Sequence, residues 1–131
     1  MIVKSNHRCF ACGKDNPIGL KLQFTPTPEG VRAEFIPTKE YEGFQDIIHG
    51  GIVATILDEA IVWACRAFGA DYVTGEISVR YKKPMLTGIP ITVFGIIEKN
   101  RGKLFLGSAY IQDKNGTVIA TATAKVVRVS K

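Results

Sequence analysis

One stretch of the chain repeats apolar residues at helical spacing. Within residues 50–68 the pattern matches one face of an amphipathic helix, and it is carried by Ile52, Ile56, Leu57, Ala60, Ile61 and Ala64. Gly69 follows at the C′ position, where glycine commonly ends a helix. The remaining faces are also largely apolar, so we predict a helix over 50–68 that other elements surround.

The flanking segments alternate apolar and polar residues, which is typical of half-buried strands. Residues 19–25 and 31–36 predict two strands before the helix. Four more are predicted after it, at 73–82, 89–99, 103–112 and 117–129. Because short turns join the last three, we expect the four to form an antiparallel meander. In the predicted strand over 73–82, the alternation places Thr74 on the face opposite Val73 and Ile77.

Together these elements predict an α+β fold. Residues 1–131 are expected to form a single domain in which a curved antiparallel sheet of about six strands wraps a long central helix. Residues 1–18 are expected to be an N-terminal loop segment that contains cysteines.

A carboxylate, Asp58, lies in the middle of the apolar helix. Burying an ionised group without partners is costly, so such an acid is paired, shifted in pKa or functional. His49, Gly50 and Gly51 precede the helix. His49 and Asp58 are nine residues apart, which places them on opposite sides of the helix and ~13 Å apart along its axis. If both belong to one site, two copies of the helix must supply it across a two-fold axis.

Composition limits the class of protein. The 131 residues are 46% hydrophobic and 22% charged, as in a globular domain. No signal peptide or membrane span is indicated, so a cytoplasmic protein without membrane partners is expected. The net charge of +5 favours a polyanionic partner, either a nucleic acid or a nucleotide-bearing molecule such as coenzyme A. Aromatic residues are not interleaved with the basic ones, which argues against nucleic acid.

The N-terminal segment contains Cys9 and Cys12 in a Cys-x-x-Cys pair, with His7 nearby. Such a pair is half of a zinc knuckle, but no second pair follows at finger or ribbon spacing. We therefore prefer a tight loop held by buried thiols and expect no metal, with zinc binding or redox chemistry as the alternative. Cys65 is expected to pack as a small apolar residue.

The chain resembles the hotdog-fold acyl-CoA thioesterases of the phenylacetate and 4-hydroxybenzoyl type. The resemblance is carried by His49-Gly50-Gly51 followed by Asp58, and by the order of elements. Cys9-Phe10-x-Cys12-Gly13 with Asn16-Pro17-x-Gly19-Leu20, and Tyr81-Lys82-Lys83-Pro84, are further similarities. The resemblance implies a single hotdog domain that hydrolyses an acyl-CoA thioester to the free acid and CoA. CoA is then part of the substrate, and no separate cofactor is expected.

The resemblance also implies roles for individual residues. Asp58 becomes the catalytic carboxylate, acting as general base or as nucleophile, and the Gly50 N–H polarises the thioester carbonyl. His49 lies beside the carbonyl or braces the loop, and Thr74 helps to place the attacking water. Asp58 and Gly50 come from different subunits of a homodimer, and a dimer of dimers (a homotetramer) is expected. The candidate substrate-binding residues are Gly51, Glu42, Gln45, Gly75, Lys82 and Lys83.

The sequence departs from the family pattern in the loop before the helix. Where some relatives carry Asn or Gln, this chain has Gly43, with Glu42 and Gln45 nearby. Lys82 and Lys83 are candidates for the CoA phosphates, which need cationic partners. Two alternatives stay open: a hotdog protein that binds acyl-CoA without cleaving it, and a basic protein that binds nucleic acid through the Cys-x-x-Cys loop.

Overall fold

The computed structural model describes residues 3–69 and 71–129. One long helix, α1 (Gly50–Arg66), packs against a six-stranded antiparallel sheet, which confirms the predicted α+β class. None of the helices in the described ranges has the length and apolarity to cross a membrane. The strands are β1 (Thr25–Pro26), β2 (Gly30–Phe35), β3 (Tyr72–Tyr81), β4 (Ile91–Asn100), β5 (Leu104–Asp113) and β6 (Val118–Arg128), and a 3-10 turn spans Lys39–Tyr41.

The helix lies very close to the middle of the sheet. A Cβ atom on Gly95 of β4 would lie 2.2 Å from the Ala60 carbonyl oxygen, and one on Gly107 of β5 would lie 2.5 Å from Ile61. Glycine therefore permits the helix backbone to approach the strands. The side chains buried in this contact are Val53, Ile56, Leu57, Ala60, Ile61, Ala64 and Cys65.

The sheet covers only one side of α1. Thr55, Asp58, Glu59 and Val62 are partly exposed on the chain. The prediction of a helix surrounded on every side is therefore wrong for the single chain. The predicted end at Phe68 was also late by two residues, although Gly69 does adopt a positive φ of 78°.

The predicted strand over 19–25 is wrong except at its end, where β1 begins at Thr25. Lys21 has a φ of 56°, which interrupts an extended chain. The N–H groups of Leu20 and Leu22 donate instead to the carbonyls of Phe10 and Ala11 in the N-terminal loop, at 2.8 and 2.9 Å. Both leucines are buried, so the apolar alternation correctly marked buried positions.

The predicted four-strand meander is also wrong, because β3 pairs with β6 rather than with β4. The sheet order is β1-β2-β4-β5-β6-β3, so only β4, β5 and β6 form a meander. The helix between β2 and β3 contacts every strand from β2 to β6, so it carries the chain across the sheet to the opposite edge. β3 is therefore an edge strand of ten residues.

A β-bulge in β3 changes which side chains face the helix. The register with β6 shifts between Thr74 and Glu76, which leaves Gly75 as the extra residue. The bulge brings Thr74 to the same side as Ile77, where both face α1. The prediction that Thr74 and Ile77 lie on opposite faces is therefore wrong.

Candidate active site

The N-terminus of α1 presents an available backbone N–H. His49 is the N-cap residue, and its Nδ1 accepts a hydrogen bond of 2.8 Å from the Gly51 N–H. The N–H groups of Ile52 and Val53 donate to the His49 carbonyl. Within the described residues the Gly50 N–H has no acceptor. The positive end of the helix dipole therefore has one N–H that is free to bind an anion or a carbonyl oxygen.

Tyr81, at the end of β3, supports this N-terminus. Its hydroxyl donates a hydrogen bond of 2.7 Å to the Gly50 carbonyl. The ring lies 3.5 Å from the position that a Cβ on Gly50 would occupy. No role for Tyr81 was predicted from the sequence. The available signal was its place in Tyr81-Lys82-Lys83-Pro84, directly before the two lysines assigned to CoA.

Two grooves meet at His49. The large groove, of about 860 Å³, is lined by Phe10, Pro17, Ile18, Glu40, Tyr41, Glu42, His49, Gly51, Ile52 and Thr55. The small groove, of about 410 Å³, is lined by Gly43, Phe44, Ile47, Ile48, His49, Gly50, Val53, Tyr81, Lys82, Lys83, Pro84 and Met85. The N-terminal loop forms one wall of the large groove, through Phe10, Pro17 and Ile18. This contribution was not predicted.

These grooves separate the predicted substrate-binding residues. Glu42 and Gly51 line the large groove, while Lys82 and Lys83 line the small groove. Gln45 lines neither groove and is exposed. Gly75 lines neither groove and forms the bulge. The Glu42 carboxylate accepts a hydrogen bond of 2.7 Å from the Thr87 hydroxyl.

Asp58 and Thr74 are in direct contact on another part of the helix. The Thr74 hydroxyl donates a hydrogen bond of 2.5 Å to Asp58 Oδ1, and both residues are partly buried. Asp58 lines neither the large nor the small groove. One chain therefore contains a helix N-terminus with an available N–H, and a separate carboxylate held by a hydroxyl.

The three cysteines differ in their surroundings. Cys9 is exposed and Cys12 is partly buried, so the expected loop held by buried thiols is wrong, whereas Cys65 is buried as expected. The carboxylate of Glu59 lies beside Cys9 and Cys12. Burial, with a hydrogen bond to Glu59, raises the pKa of Cys12 to about 12. Burial alone raises the pKa of Cys65 to about 12.

Comparison with known proteins identifies the family. The model of the thioesterase superfamily matches residues 45–120, which is more than half of the chain. The fold is similar to that of the E. coli PaaI protein from the phenylacetic acid degradation operon. The TM-score is 0.79 with 18% sequence identity, over 85% of this chain and 81% of PaaI.

Two streptococcal structures are also similar. One is a Streptococcus mutans protein bound to acetyl CoA, with a TM-score of 0.78 and 18% identity over 84% of this chain and 90% of that one. The other is a hypothetical thioesterase from Streptococcus pneumoniae with coenzyme A. Its TM-score is 0.78 with 18% identity, over 84% of this chain and 90% of that one. Two further structures of the S. pneumoniae protein carry an Asp-to-Ala and a Thr-to-Ala substitution. These two positions are 16 residues apart, as are Asp58 and Thr74.

The helix packed on an antiparallel sheet of six strands is a single hotdog domain, as predicted. The chain belongs to the thioesterase superfamily and is a thioester hydrolase.

Proposed function

We propose that this protein hydrolyses an acyl-CoA thioester to the free acid and CoA, in a site shared between two subunits of a homodimer. The observation that carries the proposal is that two groups suited to the reaction lie on separate parts of one helix. The available Gly50 N–H lies at its N-terminus, and the Asp58 carboxylate lies further along it, outside both grooves at that end. The acetyl CoA and coenzyme A in the two streptococcal structures support the substrate class.

The Gly50 N–H is suited to stabilise the transition state. Attack on the thioester carbonyl places negative charge on its oxygen, which an N–H at the positive end of a helix stabilises. His49 leaves this N–H available because it caps Gly51 instead, and Tyr81 holds the Gly50 peptide in place.

Asp58 supplies the other half of the chemistry. Held by Thr74 through one oxygen, it removes a proton from the attacking water as general base, and the C–S bond breaks with loss of the CoA thiolate. Alternatively it attacks the carbonyl directly, which displaces the CoA thiolate and forms a mixed anhydride that water then hydrolyses. The separate Asp and Thr substitutions, at the same separation in the S. pneumoniae protein, support the choice of these two residues.

Two features support the homodimer. The partly exposed side of α1, which includes Asp58, is available to a second copy. β3 is a ten-residue edge strand with one unpaired side, and such an edge can pair with a copy of itself across a two-fold axis. This pairing would place two α1 helices side by side in opposite directions, so that Asp58 of each approaches the helix N-terminus of the other.

Complementation between two inactive variants tests the shared site. Gly50→Pro removes the N–H and adds a pyrrolidine ring, which is tolerated at the first helical position. The ψ of 135° at His49 also suits a residue that precedes proline. Gly50→Pro is expected to lower kcat by about 10²–10³-fold. Asp58→Ala is expected to abolish thiol release from a panel of acyl-CoAs.

When the two variants are coexpressed with different affinity tags, the isolated heterodimer contains one intact site out of two. It is expected to show about half of the wild-type activity. A heterodimer as inactive as its parents would contradict the shared site. Gly50→Ala is the matched control, since it keeps the N–H and adds a methyl group at ordinary contact distance from Tyr81. Light scattering on the wild type measures the number of chains in the assembly, and an active monomer would also contradict the proposal.

A further inference from the structure

A second cluster of reactive side chains lies apart from both grooves. It consists of Cys9 and Cys12 from the N-terminal loop and Glu59 from the middle of α1, with one ligand atom of each residue within 4.8 Å of the others. We propose that these three residues bind a thiophilic divalent metal ion, for which Zn²⁺ is the best chemical match. The Cys-x-x-Cys spacing in the sequence identifies two of the ligands, Cys9 and Cys12. The fold brings the third, Glu59, beside them.

The distance between Cys9 Sγ and Glu59 Oε2 fits a tetrahedral metal ion. With Zn–S of about 2.3 Å and Zn–O of about 2.1 Å, a sulfur and an oxygen on the same ion lie about 3.6 Å apart. Cys9 Sγ and Glu59 Oε2 are 3.7 Å apart, at which distance the thiol donates a hydrogen bond to the carboxylate. An ion between these two atoms can therefore replace the Cys9 thiol proton with little movement, and the Cys12 sulfur lies within 4.8 Å of both.

The backbone around the two cysteines is a tight turn. The Gly13 N–H donates to the Cys9 carbonyl at 2.8 Å, and a Cβ on Gly13 would lie 2.3 Å from the Cys9 nitrogen. Only glycine fits there. Asn16 holds the same loop by donating to the Arg8 carbonyl at 3.1 Å. The two sulfurs are therefore brought together by the fold of the loop before any ion binds.

Residues around Glu59 hold its carboxylate in place. The Trp63 indole N–H donates to Glu59 Oε2 at 3.1 Å. Phe24 stacks on the indole, with 5.8 Å between ring centroids, and the Arg66 guanidinium lies 4.4 Å from the centre of the Trp63 ring. Outer partners of this kind fix the orientation of a metal ligand and commonly contribute 10–100-fold to affinity.

Binding exchanges protons for metal. A divalent ion displaces one proton from each of Cys9 and Cys12 to form two metal–thiolate bonds. The Glu59 carboxylate binds as the third ligand, and one position is left for water. Because two protons are released, the apparent affinity is expected to fall about a hundredfold for each pH unit below neutrality.

The expected consequence is structural. The loop that contains Cys9 and Cys12 also provides Phe10, Pro17 and Ile18 to the wall of the large groove. A metal bound between this loop and Glu59 would fix that wall to the helix. The site is independent of the proposed hydrolysis, because no step of the reaction uses these three residues.

Cobalt titration of the reduced, metal-free full-length chain tests the proposal. Wild type is expected to show a sulfur-to-cobalt charge-transfer band in the near ultraviolet that saturates at one ion per chain and is removed by Zn²⁺. Zn²⁺ itself is expected to change the fluorescence of Trp63, the single tryptophan. Cys9→Ser and Cys12→Ser are expected to weaken binding about a hundredfold, and Glu59→Gln about tenfold.

The controls separate this site from other cysteines and from the catalytic proposal. Cys65→Ala, at the buried cysteine outside the cluster, and Asp58→Ala are expected to bind cobalt like wild type. Glu59→Gln keeps the shape of the side chain, so it reports on the site even where a cysteine variant fails to fold. Absence of the band in the reduced wild type, or cobalt affinity in Cys12→Ser equal to that of the wild type, would overturn the proposal without affecting the shared thioesterase site.

Discussion

Thr74 determines which part of the Asp58 carboxylate is available for chemistry. Its hydroxyl donates to Oδ1, so Oδ2 is the oxygen left for water or substrate in the proposed reaction. This contact depends on the bulge at Gly75, because a regular strand would alternate Thr74 away from the face that Ile77 presents to the helix. A single extra residue thus places a hydroxyl on the proposed catalytic acid.

Removing the hydroxyl of Thr74 is expected to lower kcat. Thr74→Val keeps the shape of the side chain but loses the hydrogen bond to Asp58, and hydrogen bonds to charged groups contribute about 1.5–3 kcal/mol. We expect a decrease in kcat of about 10–100-fold, measured by thiol release at neutral pH. Thr74→Ser keeps a hydroxyl and is the matched control. Equal kcat for Thr74→Val and wild type would contradict this role.

The sequence identified the residues whose signal is local. His49, Gly50 and Asp58 could be selected because their positions relative to the helix follow from spacing alone. The contacts of Tyr81 with Gly50 and of Glu59 with Cys9 could not be predicted, because these pairs lie 31 and 50 residues apart in the chain and come together only in the folded structure. The roles of Asp58, Gly50, His49 and Thr74 in catalysis stay predictions.

At the scale of elements, the contact between α1 and the sheet depends on Gly95. Gly95→Ala is expected to lower the free energy of unfolding by about 1–3 kcal/mol, because its methyl group would overlap the Ala60 carbonyl and force the helix outward. Urea unfolding followed by circular dichroism measures this change.

Gly75→Ala is the control for this substitution. The nearest atom to its added Cβ is a Val127 methyl group at 3.4 Å, which is an ordinary contact. Its effect on stability is expected to stay within about 0.5 kcal/mol. Equal loss of stability in both variants would show that the close approach at Gly95 has no special importance.

Helices and strands could be predicted where the local periodicity of apolar residues determines the type of element. The helix and the four long strands appeared at nearly their observed bounds because their periods are long and clear. The segment over 20–24 has the same alternation, but its hydrogen bonds go to Phe10 and Ala11, so it is buried without being a strand. The position of β3 beside β6 could not be predicted, because periodicity gives no information on which strands are neighbours.

At the scale of the whole molecule, the net charge is +5. The positive charges expected to attract the substrate are those that directly follow β3. Lys82 and Lys83 are exposed in the small groove beside the Gly50 N–H, where the phosphates of CoA would lie in the proposed complex. The double variant Lys82→Ala/Lys83→Ala is expected to raise KM for acyl-CoA about tenfold with kcat unchanged, which corresponds to roughly 1.4 kcal/mol of binding.

A pantetheine thioester, which has no nucleotide phosphates, distinguishes this effect from a general loss of binding. Its KM is expected to be the same in the double variant and the wild type. Lys114→Ala, at the exposed turn between β5 and β6, is the charge-matched control. If KM rises equally for both substrates, the two lysines do not bind the phosphates.

The pairing of β3 with β6 has a consequence for how the protein folds during synthesis. Tyr72 pairs with Arg128, so β3 must wait until the ribosome has made all of β4, β5 and β6 before its neighbour exists. Closing so long a loop is slow, since its entropic cost precedes the contacts that compensate for it. Until then the apolar side of α1 lacks part of its cover, and the contact between Thr74 and Asp58 has no completed sheet to support it. We therefore expect the nascent chain to be most vulnerable to aggregation just before β6 emerges.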